Sequence, residues 1–167
     1  GMVTGTKIRT LPDPTDLSKG TWITTINYYD EKDRIIQSIS DNIKGGKDIS
    51  INLYDFSGKV LSNYVAHQYN GASTAIGIKT NIEYDHAGRL LSTTKSIYTN
   101  ASDATAVTSR VISKNDYDVM GQLKNKSIGQ KRLSDGSLST DPLETLNYNY
   151  NIRGWLKSIN KDYTLNS

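Results

Sequence analysis

The sequence contains no cysteine, and only three prolines, two methionines and one phenylalanine in 167 residues. Without cysteine there is no disulfide framework, no thiolate metal site and no thiol nucleophile. Neither sign of charge dominates, since 20 Lys and Arg against 17 Asp and Glu leave a formal net charge of +3. With no basic block either, electrostatics offers no case for a nucleic-acid partner or an anionic membrane. Long hydrophobic runs are missing too, and nothing approaches the 18 consecutive apolar residues that a membrane-spanning helix needs. The start, Gly1-Met2-Val3, shows no charged stretch followed by an apolar one, and a glycine before the methionine reads as an expression remnant. The end, Tyr163 to Ser167, has neither helix cap nor proline stop, so the chain is expected to be a piece of a longer polypeptide.

What is present is Asn, Ser and Thr, 49 residues together, beside 17 Ile and 11 Tyr, in a chain whose apolar class is only 35%. That mixture suits strands with one wet face more than a thick two-layer core. Five segments align without a gap: YDEKDRI at Tyr29, YDFSGKV at Tyr54, YDHAGRL at Tyr84, YDVMGQL at Tyr117 and YNIRGWL at Tyr150. They recur at intervals of 25, 30, 33 and 33 residues, the signature of a repeat architecture.

Each copy carries turn chemistry. Asp or Asn at the first corner can bond a backbone amide two residues on, and Gly three residues later can adopt positive φ. The expected structure is a type I turn closed by a left-handed residue, the G1-bulge hairpin connection. Where the pattern departs, with Asp33 in place of Gly and Asn151 in place of Asp, the substitutes also suit these positions. The turn residues are therefore Tyr29, Asp30 and Asp33; Tyr54, Asp55 and Gly58; Tyr84, Asp85 and Gly88; Tyr117, Asp118 and Gly121; and Tyr150, Asn151 and Gly154.

Strand-like runs flank every turn: Trp22 to Tyr29 and Arg34 to Ile39; Asp48 to Tyr54 and Lys59 to Ala66; Ile76 to Tyr84 and Arg89 to Ile97; Thr108 to Tyr117 and Gln122 to Ile128; Glu144 to Tyr150 and Trp155 to Ile159. The phase of alternation is not uniform. Apolar residues fall at odd offsets before the motif Tyr in the first two copies and at even offsets in the third and fifth, which leaves open the face each Tyr occupies. Loops are expected over 40–47, 67–75, 98–106 and 129–143. The fold class is thus all-β: an antiparallel meander of about five consecutive β-hairpins forming one twisted, curled sheet. Residues 1–21 form a lead-in, 22–163 the sheet with turns near 30–34, 55–59, 85–89, 118–122 and 151–155, and 164–167 a cut tail.

At these residues the chain resembles the RHS/YD-repeat proteins, whose consensus is close to Y-D-x-x-G-R-L and is matched in full by Tyr84 to Leu90. Thr4-Gly5-Thr6-Lys7, Trp22-Ile23-Thr24-Thr25, Ser40-Asp41-Asn42 and Tyr150 to Leu156 are similar to stretches of the RHS proteins of Bacteroidetes bacteria, so the likeness covers essentially the whole chain. The resemblance implies a secreted or cell-surface protein whose successive hairpins wind into a β-sheet strip. In large members the strip forms a hollow shell that can enclose a C-terminal toxin domain, while other relatives act in adhesion. The partners it implies are further YD repeats of the parent chain. A self-cleaving Asp-Pro-x-Gly segment, found downstream of the repeats in such shells, is missing, and Asp141-Pro142-Leu143-Glu144 is only a partial echo.

The residues themselves point away from catalysis, and no enzyme activity is expected. Asp30, Asp55, Asp85 and Asp118 could suggest a carboxylate pair of the glycosidase kind, but each already has a structural reason at a turn corner. His67 and His86, the only histidines, fit no metal or nucleophile spacing and read as loop or turn residues. The acid pairs Asp116/Asp118 and Asp30/Asp33 lack a complete calcium loop, and Gly45-Gly46 precedes a strand, so no phosphate cradle is indicated. No cofactor or metal is therefore expected. Aromatics compete more seriously: Trp22, Tyr64, Tyr69, Tyr98, Tyr148 and Trp155, if exposed, would offer platforms to a carbohydrate or a surface protein. The alternative is packing over a neighbouring hairpin. Open sheet edges, or an exposed apolar sheet face, also invite self-association.

Overall fold

The computed structural model describes residues 1–72, 74–100, 102–103 and 105–161. The tail expected over 164–167, and the last two residues of the expected sheet region, lie outside them. Eleven antiparallel strands follow one another in sequence order through a single sheet. They are β1 (Gly5–Arg9), β2 (Trp22–Tyr29), β3 (Ile35–Asp41), β4 (Lys47–Tyr54), β5 (Val60–Gln68), β6 (Ile76–Tyr84), β7 (Leu90–Tyr98), β8 (Thr108–Tyr117), β9 (Leu123–Ile128), β10 (Glu144–Tyr150) and β11 (Leu156–Ile159). One short 3-10 turn, Leu17–Lys19, is capped by the Asp16 carboxylate, which accepts from the amide of Ser18. The strand order is open, with β1 and β11 as its two outer members.

Two departures from the sequence expectation stand out. The lead-in holds a strand, β1, paired with β2 from Gly5–Ile26 to Arg9–Trp22. The expected loop over 129–143 carries a small excursion: Arg132 bridges Leu138, and the amide of Leu133 donates to the Ser137 carbonyl at 2.9 Å. Leu133 is its first corner, with the Gly136 amide donating to the Leu133 carbonyl and Gly136 at φ 84°, and the Asp135 carboxylate accepts from the amide and hydroxyl of Ser137.

The chain divides into two compact units, one of residues 1–80 with 96–108 and the other of 81–95 with 109–167. In the first, registers align Gly5, Ile26, Ile39, Ile49 and Ala66 side by side across five strands. Tyr28, Gln37, Ile51 and Tyr64 form the adjoining row on the same face, because side chains two apart in a strand point the same way. This face is thinly covered. Among the described residues only Ala66, Gly77 and Ser96 are buried, and Ile26 and Ile51 remain 43% and 42% exposed. In the second unit the rows are more polar, as in Asn115–Lys126–Leu146 and Asp116–Asn125–Asn147. No large side chain among the described residues is fully buried, consistent with the low apolar fraction.

Pairing also resolves the phase question. A register shift falls at the motif Tyr in four hairpins, between Tyr28 and Tyr29, Leu53 and Tyr54, Asp116 and Tyr117, and Asn149 and Tyr150. The extra residue lies on the return strand, so the bulge leaves the outgoing strand's alternation intact. Ile49, Ile51 and Leu53 therefore point away from the face of Tyr54, whereas Ile76, Ile78 and Ile82 share the side of Tyr84.

Candidate interaction surface

All five motif turns have one geometry. The amide of the first corner donates to the carbonyl four residues on at 2.9 Å in each, from Asp30–Arg34 to Asn151–Trp155. The residue three after the corner takes positive φ: Asp33 64°, Gly58 94°, Gly88 78°, Gly121 82° and Gly154 78°. The corner side chain accepts from the amide four residues on, at 2.8 to 3.0 Å, in Asp30, Asp55, Asp85, Asp118 and Asn151. In Asp30, Asp55 and Asp85 hydrogen bonds of this kind favour the charged carboxylate. The Arg34 amide holds Asp30 below its usual range, the Ser57 hydroxyl does so for Asp55, and the Arg89 amide for Asp85. The same turn appears unannounced between β3 and β4, where Asn42 caps the amides of Lys44 and Gly46 and Gly45 has φ 74°.

Between successive hairpins the motif tyrosines do more than pack. The hydroxyl of Tyr54 donates to the carbonyl of Ile35 at 2.9 Å, that of Tyr117 to Leu90 at 2.9 Å, and that of Tyr150 to Leu123 at 3.0 Å. Tyr29 does the same to Val3 at 2.7 Å. Val3, Ile35 and Leu123 sit just beyond the last rung of the ladder to the next strand, which ends at Gly5–Ile26, Gln37–Ile51 and Asn125–Asn147 respectively. An acceptor with no ladder partner must find another donor, and the tyrosine supplies it. Asn two residues before the tyrosine adds a second bond to the same carbonyl, from Asn52 to Ile35 at 3.1 Å and from Asn115 to Leu90 at 3.0 Å.

A cation completes this seam. The guanidinium of Arg34 binds Asp30 through two nitrogens at 2.7 Å, donates to the Asp55 carbonyl at 3.0 Å and lies 4.7 Å from the Tyr54 ring centre. Arg89 repeats the arrangement with Asp85 at 2.6 Å and the Tyr117 ring at 4.5 Å. Glycine at the next turn leaves room for it, since a Cβ on Gly121 would come within 2.7 Å of the Arg89 guanidinium.

The six candidate aromatics do not form one site. Tyr64 and Tyr98 meet edge to face with ring centres 6.1 Å apart. Tyr64 lies over Gly77, where an added Cβ would sit 2.3 Å from its hydroxyl. Burial pushes the Tyr64 phenol up, with Tyr98 and Asp103 adding to the effect. Tyr69, 56% exposed, joins Tyr98 around a shallow cavity of about 470 Å³ that includes Thr74, Ile76, Ile97 and Thr99. Trp22 stands apart within the first unit, exposed, with Arg9 at 5.9 Å from its ring centre. In the second unit Trp155 is likewise exposed beside Arg153, and Tyr148 is half-buried opposite Ile159.

His67 is not a loop residue as expected; it lies in β5 opposite Asp48 and pairs with that carboxylate, while His86 sits exposed at a turn corner. Asp141 is also exposed, its amide bonded to the Ser139 hydroxyl. Among the described residues no group of three or more His, Asp or Glu is placed to hold a metal ion. Sequence reasoning missed the tyrosine hydroxyls, the Arg34 and Arg89 bridges and the space at Gly77. The recurring Asn-x-Tyr of Asn27, Asn52 and Asn115 was the available signal. In comparisons with known proteins, no family model and no curated protein matches the chain.

Proposed function

We propose that this chain is a non-catalytic structural module, a segment of the β-sheet wall of an RHS/YD-repeat protein carried on a bacterial surface or secreted. The observation that supports the reading most is the repeated seam. Tyr29, Tyr54, Tyr117 and Tyr150 each bond the equivalent carbonyl of the preceding return strand. A joint made the same way each time can be repeated without a new design, and units that cannot bury their own face depend on their neighbours. In the longer parent the strip would curl into a shell that encloses or presents an effector domain. Small-angle scattering on the natural polypeptide containing this segment tests this. A hollow particle is expected, and a solid compact particle or an unwound strip would refute it.

A second reading, as a carbohydrate-binding or adhesion module, is favoured by the cavity that gathers Tyr69, Tyr98, Thr74 and Thr99. Aromatic faces and hydroxyls together suit the apolar face and polar rim of a sugar ring. A glycan array distinguishes the readings: binding that disappears in Tyr69→Ala favours the second, and a uniformly blank array leaves the wall module.

A further inference from the structure

The strand ends opposite the motif turns form a rim of their own within the first unit. Registers place it: Arg9 pairs with Trp22, Asp41 with Lys47 and Lys47 with Gln68, each at the end of its ladder, while Ile76 opens β6 and Tyr98 closes β7. Three hollows lie along this rim. The first, of about 370 Å³, gathers Thr10, Leu11, Lys19, Thr21 and Ile43. The second, of about 260 Å³, shares Thr21 and Ile43 with it and adds Trp22 and Asp41. The third is the cavity of Tyr69, Tyr98, Thr74 and Thr99. Glycines mark the passage from the second to the third: Gly45 and Gly46 line the one and Gly71 the other. The Asn70 amide ties their two loops together by donating to the Lys44 carbonyl at 3.1 Å. A Cβ on Gly71 would meet nothing within 4 Å, so this saddle is open. From Trp22 on β2 to Tyr98 on β7 are five strand spacings, or about 24 Å.

The lining repeats one combination, an aromatic face beside fixed polar groups. Trp22 is 58% exposed. Beside it the Asp41 carboxylate is held by the Lys47 ammonium at 2.9 Å and the Thr24 amide at 3.1 Å, donors that keep its carboxyl below the usual range. Thr10 and Thr21 present hydroxyls 2.9 Å apart. Cations along the rim are matched by carboxylates: Lys19 lies 3.0 Å from Asp13 and 3.4 Å from Asp16, and Lys47 sits on Asp41. Such matching gives no pull on a polyanion. An uncharged sugar suits the lining better, because its ring has an apolar C–H face for the aromatic and a polar edge for the hydroxyls and carboxylate.

We propose that this rim binds a linear, uncharged β-1,4-linked glucan, laid across the strand ends with one ring on Trp22 and another on Tyr69 and Tyr98. In that linkage the ring substituents are all equatorial, so every ring has flat apolar faces, and the chain is extended enough to reach both platforms. Asp41, Thr10 and Thr21 take sugar hydroxyls at one end, Thr74 and Thr99 at the other, and the glycine saddle lets the chain pass between them. Two platforms on one ligand act together, the second ring binding at the effective concentration set by the first. The inference rests on the carbohydrate-binding reading and deepens it. That reading needs only the Tyr69 cavity, whereas here the ligand is a polymer and Trp22 holds half of it.

The test titrates the whole chain, labelled for NMR, with cellohexaose and with cellobiose. Cellohexaose should shift the Trp22 indole N–H and the amides around Tyr69 and Tyr98 together. It should bind about tenfold or more tightly than cellobiose, which reaches one platform only. Trp22→Ala and Tyr69→Ala should each lower the cellohexaose affinity to about that of cellobiose, and Trp155→Ala, at an exposed indole of the second unit, should leave it unchanged. Equal affinity for the two sugars, a Trp22→Ala variant that binds as the parent does, or no binding of cellohexaose would each overturn the proposal. Equal affinities with binding still abolished by Tyr69→Ala would leave the carbohydrate reading in place without the polymer, whereas a blank glycan array ends both.

Discussion

The phenolic hydroxyl of Tyr54 and the backbone carbonyl of Ile35, 19 residues apart in sequence, are joined by a 2.9 Å hydrogen bond. That bond sits where the β3–β4 ladder has ended, and Asn52 shares its acceptor at 3.1 Å. Tyr54→Phe should therefore cost about 0.5–1 kcal/mol, at the low end for a lost hydrogen bond, because one donor remains. Asn52→Ala should do much the same. The double variant leaves the carbonyl with neither donor and should lose more than the sum of the two. Urea denaturation of the four proteins in a double-mutant cycle measures that coupling, and strict additivity would deny that the two side chains serve one acceptor.

Turn geometry sets opposite signs for two substitutions. Gly88 has φ 78° and Asp33 has φ 64°. Gly88→Val puts a β-branched residue where it is least tolerated and should destabilise by about 1–2 kcal/mol or more, whereas Asp33→Gly should be neutral or mildly stabilising. Thermal melts decide this, and an unchanged melting temperature in Gly88→Val would count against the turn assignment.

Acid should loosen the motif turns selectively. Asp30, Asp55 and Asp85 have carboxyls held below their usual range by amide and hydroxyl donors. A depressed folded pKa means that the stabilisation is fully present above the ordinary carboxylate range. It is then lost as pH falls through the folded value. Melting temperature should thus drop on acidification below about pH 4. Hydrogen exchange at the Asn151 turn, which has no carboxylate at its corner, should show no such local titration. Equal acid sensitivity at that turn would indicate a different cause.

Gly77 makes room for Tyr64, so Gly77→Ala tests a close approach rather than a backbone conformation. An added Cβ would meet the Tyr64 hydroxyl at 2.3 Å and its ring at 2.9 Å. Displacing the ring should cost about 1–3 kcal/mol as overpacking and break the edge contact with Tyr98. Near-ultraviolet circular dichroism and a melt measured together would show it; an unaltered spectrum at unchanged stability would mean the ring moves freely.

The hairpins were legible because turn chemistry is local. Asp85 and Gly88 announce their turn within four residues, and the strands ending at Tyr29, Tyr54, Tyr84, Tyr117 and Tyr150 begin within a residue of where alternation places them. The Asn42 turn escaped because no tyrosine precedes it, although Asn42-Ile43-Lys44-Gly45 parallels Asn151-Ile152-Arg153-Gly154. β1 escaped because five residues with one large apolar side chain, Ile8, carry no usable alternation. The seam was harder still, since its acceptors are backbone carbonyls, and a carbonyl's lack of a ladder partner depends on the bulge that no side chain names. Among the candidate aromatics, the meeting of Tyr64 with Tyr98 depends on the empty space at Gly77, a relation across strands that spacing along the chain does not express.

At four described seams one joint, made by the motif tyrosine hydroxyl, fastens a hairpin to the strand before it. The most direct measurement is the urea stability of Tyr29→Phe, Tyr54→Phe, Tyr117→Phe and Tyr150→Phe beside Tyr69→Phe, whose parent side chain lies at the cavity and in no seam. Each motif variant should lose about 0.5–1.5 kcal/mol and Tyr69→Phe none. Motif variants as stable as the parent, or a Tyr69→Phe loss of the same size, would contradict it.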